Sequence, residues 1–249
     1  MRILLVNPNM TTAMTDTMAG IARTVAGARA EIIPITATRG FPYIASRAEA
    51  QIAGAIALEM IAEYRDTVDA VIIAAFGDPS LAGARELFDM PVVGMAEAAM
   101  HSAAMLGERF SIVTFSPLMT AWYMNCIAES GLGAKCTGVR TPPPRPVLVD
   151  SVLKDTRAEL IALARSAATE DRADVIILGG APLAGLAAEI ANEVPAIVID
   201  PIAAATAQAI ALASITMPSS FAARAAKPAS KSSVGLSRHL EATIAADRA

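Results

Sequence analysis

The chain repeats itself, and an internal repeat narrows the possible folds more than any other feature here. Asp69-Ala70-Val71-Ile72-Ile73-Ala74-Ala75-Phe76-Gly77 returns as Asp174-Val175-Ile176-Ile177-Leu178-Gly179-Gly180-Ala181. Each copy continues into a related stretch, Pro79-Ser80-Leu81-Ala82-Gly83 or Pro182-Leu183-Ala184-Gly185, and then through a helical stretch into a Pro-led strand, Pro91-Val92-Val93-Gly94 or Pro195-Ala196-Ile197-Val198. The opening segments also correspond: Arg2-Ile3-Leu4-Leu5-Val6-Asn7-Pro8 against Arg109-Phe110-Ser111-Ile112-Val113-Thr114-Phe115-Ser116-Pro117. Such a duplication implies two similar units about a pseudo-twofold axis.

Six apolar runs bounded by turn residues read as strands: Ile3 to Val6, Val68 to Ala74, Pro91 to Gly94, Phe110 to Thr114, Val175 to Leu178 and Ala196 to Ile199. They are continuous rather than alternating, as suits parallel strands covered on both faces. Alanine-rich segments of helical period separate them, among them Arg47 to Tyr64, Ala96 to Leu106, Thr156 to Ala168 and Ile202 to Ala213. The expected fold is α/β, with two pseudo-symmetric lobes, each a parallel sheet flanked by helices. Residues 1–105 and 200–216 make the first lobe, 106–199 the second and 217–249 a C-terminal tail that wraps the body, with a short helix near 236–246. Ligands of parallel sheets sit beyond the carboxyl ends of the strands. The equivalent loops around Ala75 and Gly180, 105 positions apart, are therefore expected to face one another across an inter-lobe cleft that holds the active site.

Composition removes other classes. Hydrophobic residues make up 54% of the 249, which excludes disorder, yet Arg or Asp interrupts the apolar runs before they reach the roughly 18 residues of a membrane span. The run at Ile3 to Val6 is too short for a signal-peptide core, so the chain is read as cytoplasmic. A net charge of −4 with 4% aromatics lacks the basic footprint of a nucleic-acid binder. Cys126 and Cys136 have neither CxxC spacing nor a neighbouring histidine and read as reduced structural thiols. His101 and His239, the only two histidines, cannot build a histidine-rich metal site.

Several segments carry a family likeness: Asn7-Pro8-Asn9-Met10-Thr11, Phe76-Gly77-Asp78-Pro79, Val93 to His101, Phe110-Ser111-Ile112-Val113-Thr114 and Leu178-Gly179-Gly180-Ala181. In this order, over residues 1 to about 215, they resemble the signature segments of the aspartate/glutamate/hydantoin racemase superfamily, nearest the hydantoin and allantoin racemases. The resemblance implies a cofactor-independent enzyme with a small-molecule site between its lobes. It also implies one cysteine in each lobe, the two thiols acting as acid and base on opposite faces of a carbon next to a carbonyl. At the matching positions this chain has Ala75 and Gly180, neither of which transfers a proton.

What remains is a cradle: turns at Ala75-Phe76-Gly77 and Gly179-Gly180-Ala181-Pro182 whose backbone N–H groups suit a carboxylate, a ring carbonyl or an oxyanion. Asp78, before Pro79, reads as a helix cap or as a group holding substrate or water. Glu97 and His101 stand i, i+4, close enough to pair on one helix face, and a satisfied, partly buried histidine weighs against a general base. Asp78, His101 and Glu97 are the catalytic candidates. Asn9 and Thr11 follow the first strand, and Thr114 and Ser116 end its counterpart; each is a turn or cap residue or a substrate contact. Tyr43 and Arg47 are candidate binding groups, Arg47 as a carboxylate clamp or a surface partner of Glu49 or Asp66. The expected activity is non-thiol chemistry of hydrolase or lyase type, such as hydrolysis or desulfurisation, on a small hydantoin-like or carboxylated ring. The alternatives are a racemase or isomerase with other acid and base groups, and a non-catalytic binding protein. No metal, nucleic acid or membrane partner is expected, and the apolar surplus suggests a homo-oligomer.

Overall fold

The computed structural model describes residues 1–144, 152–224 and 228–246; the rest of the expected second lobe (145–151) and tail (225–227 and 247–249) lies outside these. The first half runs β1 (Arg2–Asn7), α1 (Thr12–Ala26), β2 (Glu31–Thr36), α2 (Arg47–Tyr64), β3 (Ala70–Ile73), α3 (Leu81–Leu87), β4 (Val92–Gly94) and α4 (Met95–Leu106). The second runs β5 (Phe110–Val113), α5 (Thr120–Glu129), β6 (Cys136–Arg140), α6 (Val152–Thr169), β7 (Val175–Leu178), α7 (Leu186–Ile190), β8 (Ile197–Ile199) and α8 (Pro201–Ile215), followed by α9 (Pro218–Ala222) and α10 (Arg238–Ala245).

The repeat is visible in the hydrogen bonding. The strands form two four-stranded parallel sheets of like order, β2-β1-β3-β4 and β6-β5-β7-β8. Ile3 pairs with Ala70 as Phe110 pairs with Val175, so the corresponding sequences share one register. The strand starts match as well: Asp69 Oδ2 accepts the Arg2 N–H at 2.6 Å, and Asp174 Oδ2 accepts the Arg109 N–H at 3.0 Å. At the carboxyl ends, Ala74 N–H donates to Val6 O at 2.8 Å and Gly179 N–H to Val113 O at 2.9 Å.

Two strands absent from the sequence expectation, β2 and β6, are the equivalent edges of the two sheets. Pro34 lies in β2 and Gly138 in β6; both residue types read as breakers, and an edge strand tolerates them because one side needs no partner. The inner strands are covered on both faces. Ile3, Leu5, Ile72, Ile112, Val175 and Ile177 share one central core with α4, α5 and α8. Leu4, Val6, Val71 and Ile73 face α2 and α3, and Val113, Ile176 and Leu178 face α6 and α7. The inner strands therefore bury every side chain past the exposed Arg2 that opens β1, which explains the unbroken apolar runs.

The helix after the second sheet, α8, packs on α1, α4, β3 and β4, and starts at Asp200, whose Oδ1 accepts Ile202 N–H at 2.8 Å and Ala203 N–H at 3.2 Å. Beyond it, α10 packs on α2, with Leu240 buried in the core there and Ser237 N–H bonded to Glu59 Oε1 at 3.1 Å. Among the described residues no helix is long and apolar enough to cross a membrane.

Candidate functional site

The two equivalent loops meet. Ala75 and Phe76, just past β3, and Gly180 and Ala181, just past β7, line one small cavity with Asn9, which follows β1. Tyr43 and Ile44 close it from the segment between β2 and α2, and Trp122 and Tyr123 from α5. The cavity measures about 20 Å³, room for about one water molecule.

Its walls are neutral. Asn9 is buried, its Oδ1 accepting Asn7 Nδ2 at 3.0 Å and Thr11 N–H at 2.9 Å. The Asn9 Nδ2 makes a weak contact with Met14 Sδ at 3.7 Å, so its donor capacity is largely unspent. Burial, with help from the Glu49 charge, raises the Tyr43 pKa above the ordinary phenol value, and burial likewise raises that of Tyr123 well above it. Both phenols therefore act as donors at neutral pH and not as bases. Tyr123 packs edge-on against Phe76, with ring centroids 4.7 Å apart. The Thr114 hydroxyl, fully buried at the end of the β5 run, lacks a partner at hydrogen-bond geometry but lies near enough to the Tyr123 phenol to pull its pKa part of the way back.

Gly180 has φ +126°, a conformation that L side chains rarely adopt. A side chain there would also press on the Phe115 ring, with a Cβ at 3.0 Å. The loop is thus shaped for glycine and has no place for a proton-transferring side chain without rearranging. Gly179 is wedged between Ile112, Tyr123 and Phe76, and Pro182 sits in a short 3-10 turn at Ala181–Leu183.

The expected catalytic trio stands elsewhere. Asp78, Glu97 and His101 do not line this cavity. Asp78 and Glu97 line a separate, larger groove of about 660 Å³ that also includes Arg85, Trp122 and Cys126. Asp78 spends both carboxylate oxygens on α4, accepting Ala96 N–H at 2.8 Å and Glu97 N–H at 2.7 Å. It is therefore a cap, as its plainer reading had it, but of α4 and not of the helix that follows it. Burial pushes its carboxyl up to about 7, against the pull of these two amides. Glu97 pairs with the Arg85 guanidinium through both oxygens; burial raises its carboxyl, but the Arg85 hydrogen bonds and charge outweigh it and leave the pKa below the usual value. His101 is exposed on α4.

The remaining candidates divide. Thr11 Oγ1 donates to Pro42 O at 2.6 Å, tying down the segment that carries Tyr43. Ser116 caps the short turn at Pro117–Met119 through Leu118 N–H at 3.4 Å. Among the described residues Arg47 clamps no carboxylate and pairs with neither Glu49 nor Asp66: its Nη2 reaches Ala121 O at 2.9 Å and Asn125 Oδ1 at 3.3 Å, across the lobes. The Gly77 backbone (φ +116°) lies under the Trp122 indole.

The cysteines stay out of the cavity. Cys126 is buried beside Gly77 O, at 3.9 Å, and burial, then the Asp78 charge, pushes its thiol up to about 12. Cys136 lies in β6 with its thiol also raised by burial. Both remain protonated at neutral pH. No group of three or more His, Cys, Asp and Glu side chains suited to a metal ion occurs among the described residues.

Sequence reasoning missed Ile44, Trp122 and Tyr123. The signal available was an adjacent aromatic pair in a chain with 4% aromatics, but helix periodicity does not say which loops a helix will face.

Paired parallel sheets of like order, whose equivalent loops line a common cavity at the strands' carboxyl ends, define an α/β protein of two like lobes. More particularly, the chain belongs to the Asp/Glu/hydantoin racemase family, whose model, Asp/Glu/Hydantoin racemase, matches residues 3–209. It is 34% identical to the hydantoin racemase of Paenarthrobacter aurescens over 236 residues, 93% of this chain and 99% of that one. Its structure resembles an allantoin racemase from Klebsiella pneumoniae with TM-score 0.88 and 34% identity, covering 96% of this chain and 98% of that one. An aspartate racemase homologue from Pyrococcus horikoshii shares the fold at TM-score 0.61 and 19% identity, over 86% of this chain and 99% of that one.

Proposed function

We propose that this chain is an isomerase of hydantoin-class rings that exchanges the proton on a ring carbon without protein thiols. The observation that carries the reading is the single cavity on which Ala75 and Gly180 stand, among neutral donors. A five-membered cyclic ureide is neutral and planar and presents carbonyl oxygens to such donors. The names of the full-length relatives, hydantoin and allantoin racemases, support the isomerase over the hydrolase or lyase reading.

Loss of the proton beside a ring carbonyl puts negative charge on the carbonyl oxygen. In this reading Asn9 Nδ2, a protonated phenol and backbone N–H groups of the two loops stabilise that charge. Ala75 and Gly180, on the same reading, occupy the places of the family's two thiols, and water admitted with the ring when the cavity widens does their work. One water takes the proton as the C–H bond breaks and becomes hydronium; a second returns a proton to the opposite face, and the hydroxide it leaves is neutralised by that hydronium. Exposed Met105, Leu118 and Ile215 support a homo-oligomer.

The second reading, ring-opening hydrolysis or desulfurisation, is favoured by one observation: among the described residues no carboxylate, imidazole or thiol lines the cavity, so water is the reagent at hand. One experiment separates the two. A single enantiomer of a 5-substituted hydantoin, or of allantoin, is incubated with the protein in D₂O. Loss of optical activity with one deuterium per ring supports the isomerase; a product heavier by one water, or release of sulfide from a thiohydantoin, supports the second reading. Asn9→Ala should slow the observed reaction by about a hundredfold, the usual cost of one oxyanion donor. An intact, unexchanged ring across the panel overturns both.

A further inference from the structure

We propose that Arg47 is a positioning residue for the cavity, pinning the segment that carries Tyr43 and Ile44 to α5 of the opposite lobe. The inference rests on the reading above only in taking the Ala75–Gly180 cavity as the substrate site.

Residues 37–46 have neither helix nor strand and cross from β2 to α2 over the strand ends. Their ties to their own lobe are explicit: Met10 N–H donates to Phe41 O at 2.9 Å, and Thr11 Oγ1 to Pro42 O at 2.6 Å. The ties to the other lobe are of two kinds. The apolar kind is the Tyr43 ring against Phe115, centroids 5.9 Å apart, and the cluster of Ile44, Ala50, Ala53 and Ala75 with Trp122 packed on it. The directional kind is a long, weak contact of the Tyr43 hydroxyl with Met119 Sδ at 3.9 Å and, at ordinary hydrogen-bond length, Arg47, whose Nη2 donates to Ala121 O at 2.9 Å and Asn125 Oδ1 at 3.3 Å.

Apolar contact has no preferred direction, whereas a guanidinium on two oxygens fixes where the segment sits along α5. The fixing matters because the cavity, at about 20 Å³, holds about one water and admits no five-membered ring. A ring enters when the Tyr43–Ile44 wall lifts, and the same wall must return to a defined place for the phenol to meet the ring. Arg47 is exposed, so its bonds exchange with water readily and are suited to opening and closing.

Trp122, the one tryptophan of the chain, packs against this wall and reports on it directly. The test compares the full-length wild-type protein with Arg47→Ala and Arg47→Lys by acrylamide quenching of Trp122 and by hydrogen exchange of the amides of residues 37–46. Arg47→Ala should raise both rates about three- to tenfold, the loss of one or two modest hydrogen bonds. Arg47→Lys, still able to donate to one oxygen, should recover part of the difference. On a hydantoin that is turned over, Arg47→Ala should raise KM more than it lowers kcat. If Arg47→Ala destabilises the whole fold, Asn125→Ala, which removes one acceptor and leaves α2 untouched, should show the same changes more weakly. Wild-type quenching and exchange in a folded Arg47→Ala or Asn125→Ala protein overturn the proposal. Failure to turn over any hydantoin would count against the functional reading alone, because quenching and exchange need no substrate.

Discussion

Asp78→Asn turns the buried carboxylate at the head of α4 into a measurement. The Asp78 carboxyl is pushed up to about 7 by burial, with the Ala96 and Glu97 amides and the Arg85 charge pulling it down and the Glu97 charge adding to the rise. In the unfolded chain an aspartate titrates near about 3.9. The folded protein therefore binds the proton more tightly, so this group's stabilising share is complete below about pH 4 and is lost as pH rises through about 7. About three pH units at roughly 1.4 kcal/mol each is about 4 kcal/mol. Because the side chain keeps some contact with the groove, solvent trims this to about 2 kcal/mol. Asparagine keeps one acceptor for α4 and carries no charge at any pH, so it should cost about 1–2 kcal/mol near pH 5. Near pH 8 that gap should close or reverse. Urea unfolding of both proteins at about pH 5 and 8 reads the difference directly. Parallel pH profiles, or a wild type that gains on the variant toward alkaline pH, would refute the reasoning and mean that the helix N-terminus holds Asp78 ionised.

Two further outcomes rest on local contacts. Gly77→Ala places a Cβ against the Trp122 indole at φ +116° and should cost about 3 kcal/mol or displace the ring; the unfolding midpoint and a red-shifted Trp122 emission check it. Asp200→Ala strips the acceptor from Ile202 and Ala203 at the start of α8 and from Gly185, whose N–H it accepts at 2.7 Å. It should cost about 2–3 kcal/mol, whereas Ser237→Ala, losing one long bond to Leu240 N–H at 3.4 Å, should cost less than about 1 kcal/mol; chemical denaturation of the two variants gives the comparison.

The repeat in the sequence already contained the two sheets, because a strand buried on both faces must be apolar throughout, and Asp69 to Gly77 and Asp174 to Ala181 could serve as nothing else. It also placed Ala75 and Gly180 at like points, since position within a repeat survives folding. The edge strands β2 and β6 escaped notice because half-exposed strands accept Pro34 and Gly138. Among the site candidates, those next to a strand end were legible, because chain connectivity alone puts Asn9, Ala75 and Gly180 at the same edge of the fold. Side-chain direction was not. Whether Asp78 faced a ligand or a helix end, whether Arg47 met a carboxylate or a carbonyl of the other lobe, and whether Tyr123 reached the loops depended on how α4 and α5 pack against the sheets. Those are contacts between residues far apart in the chain, and only burying the common core between the lobes sets them.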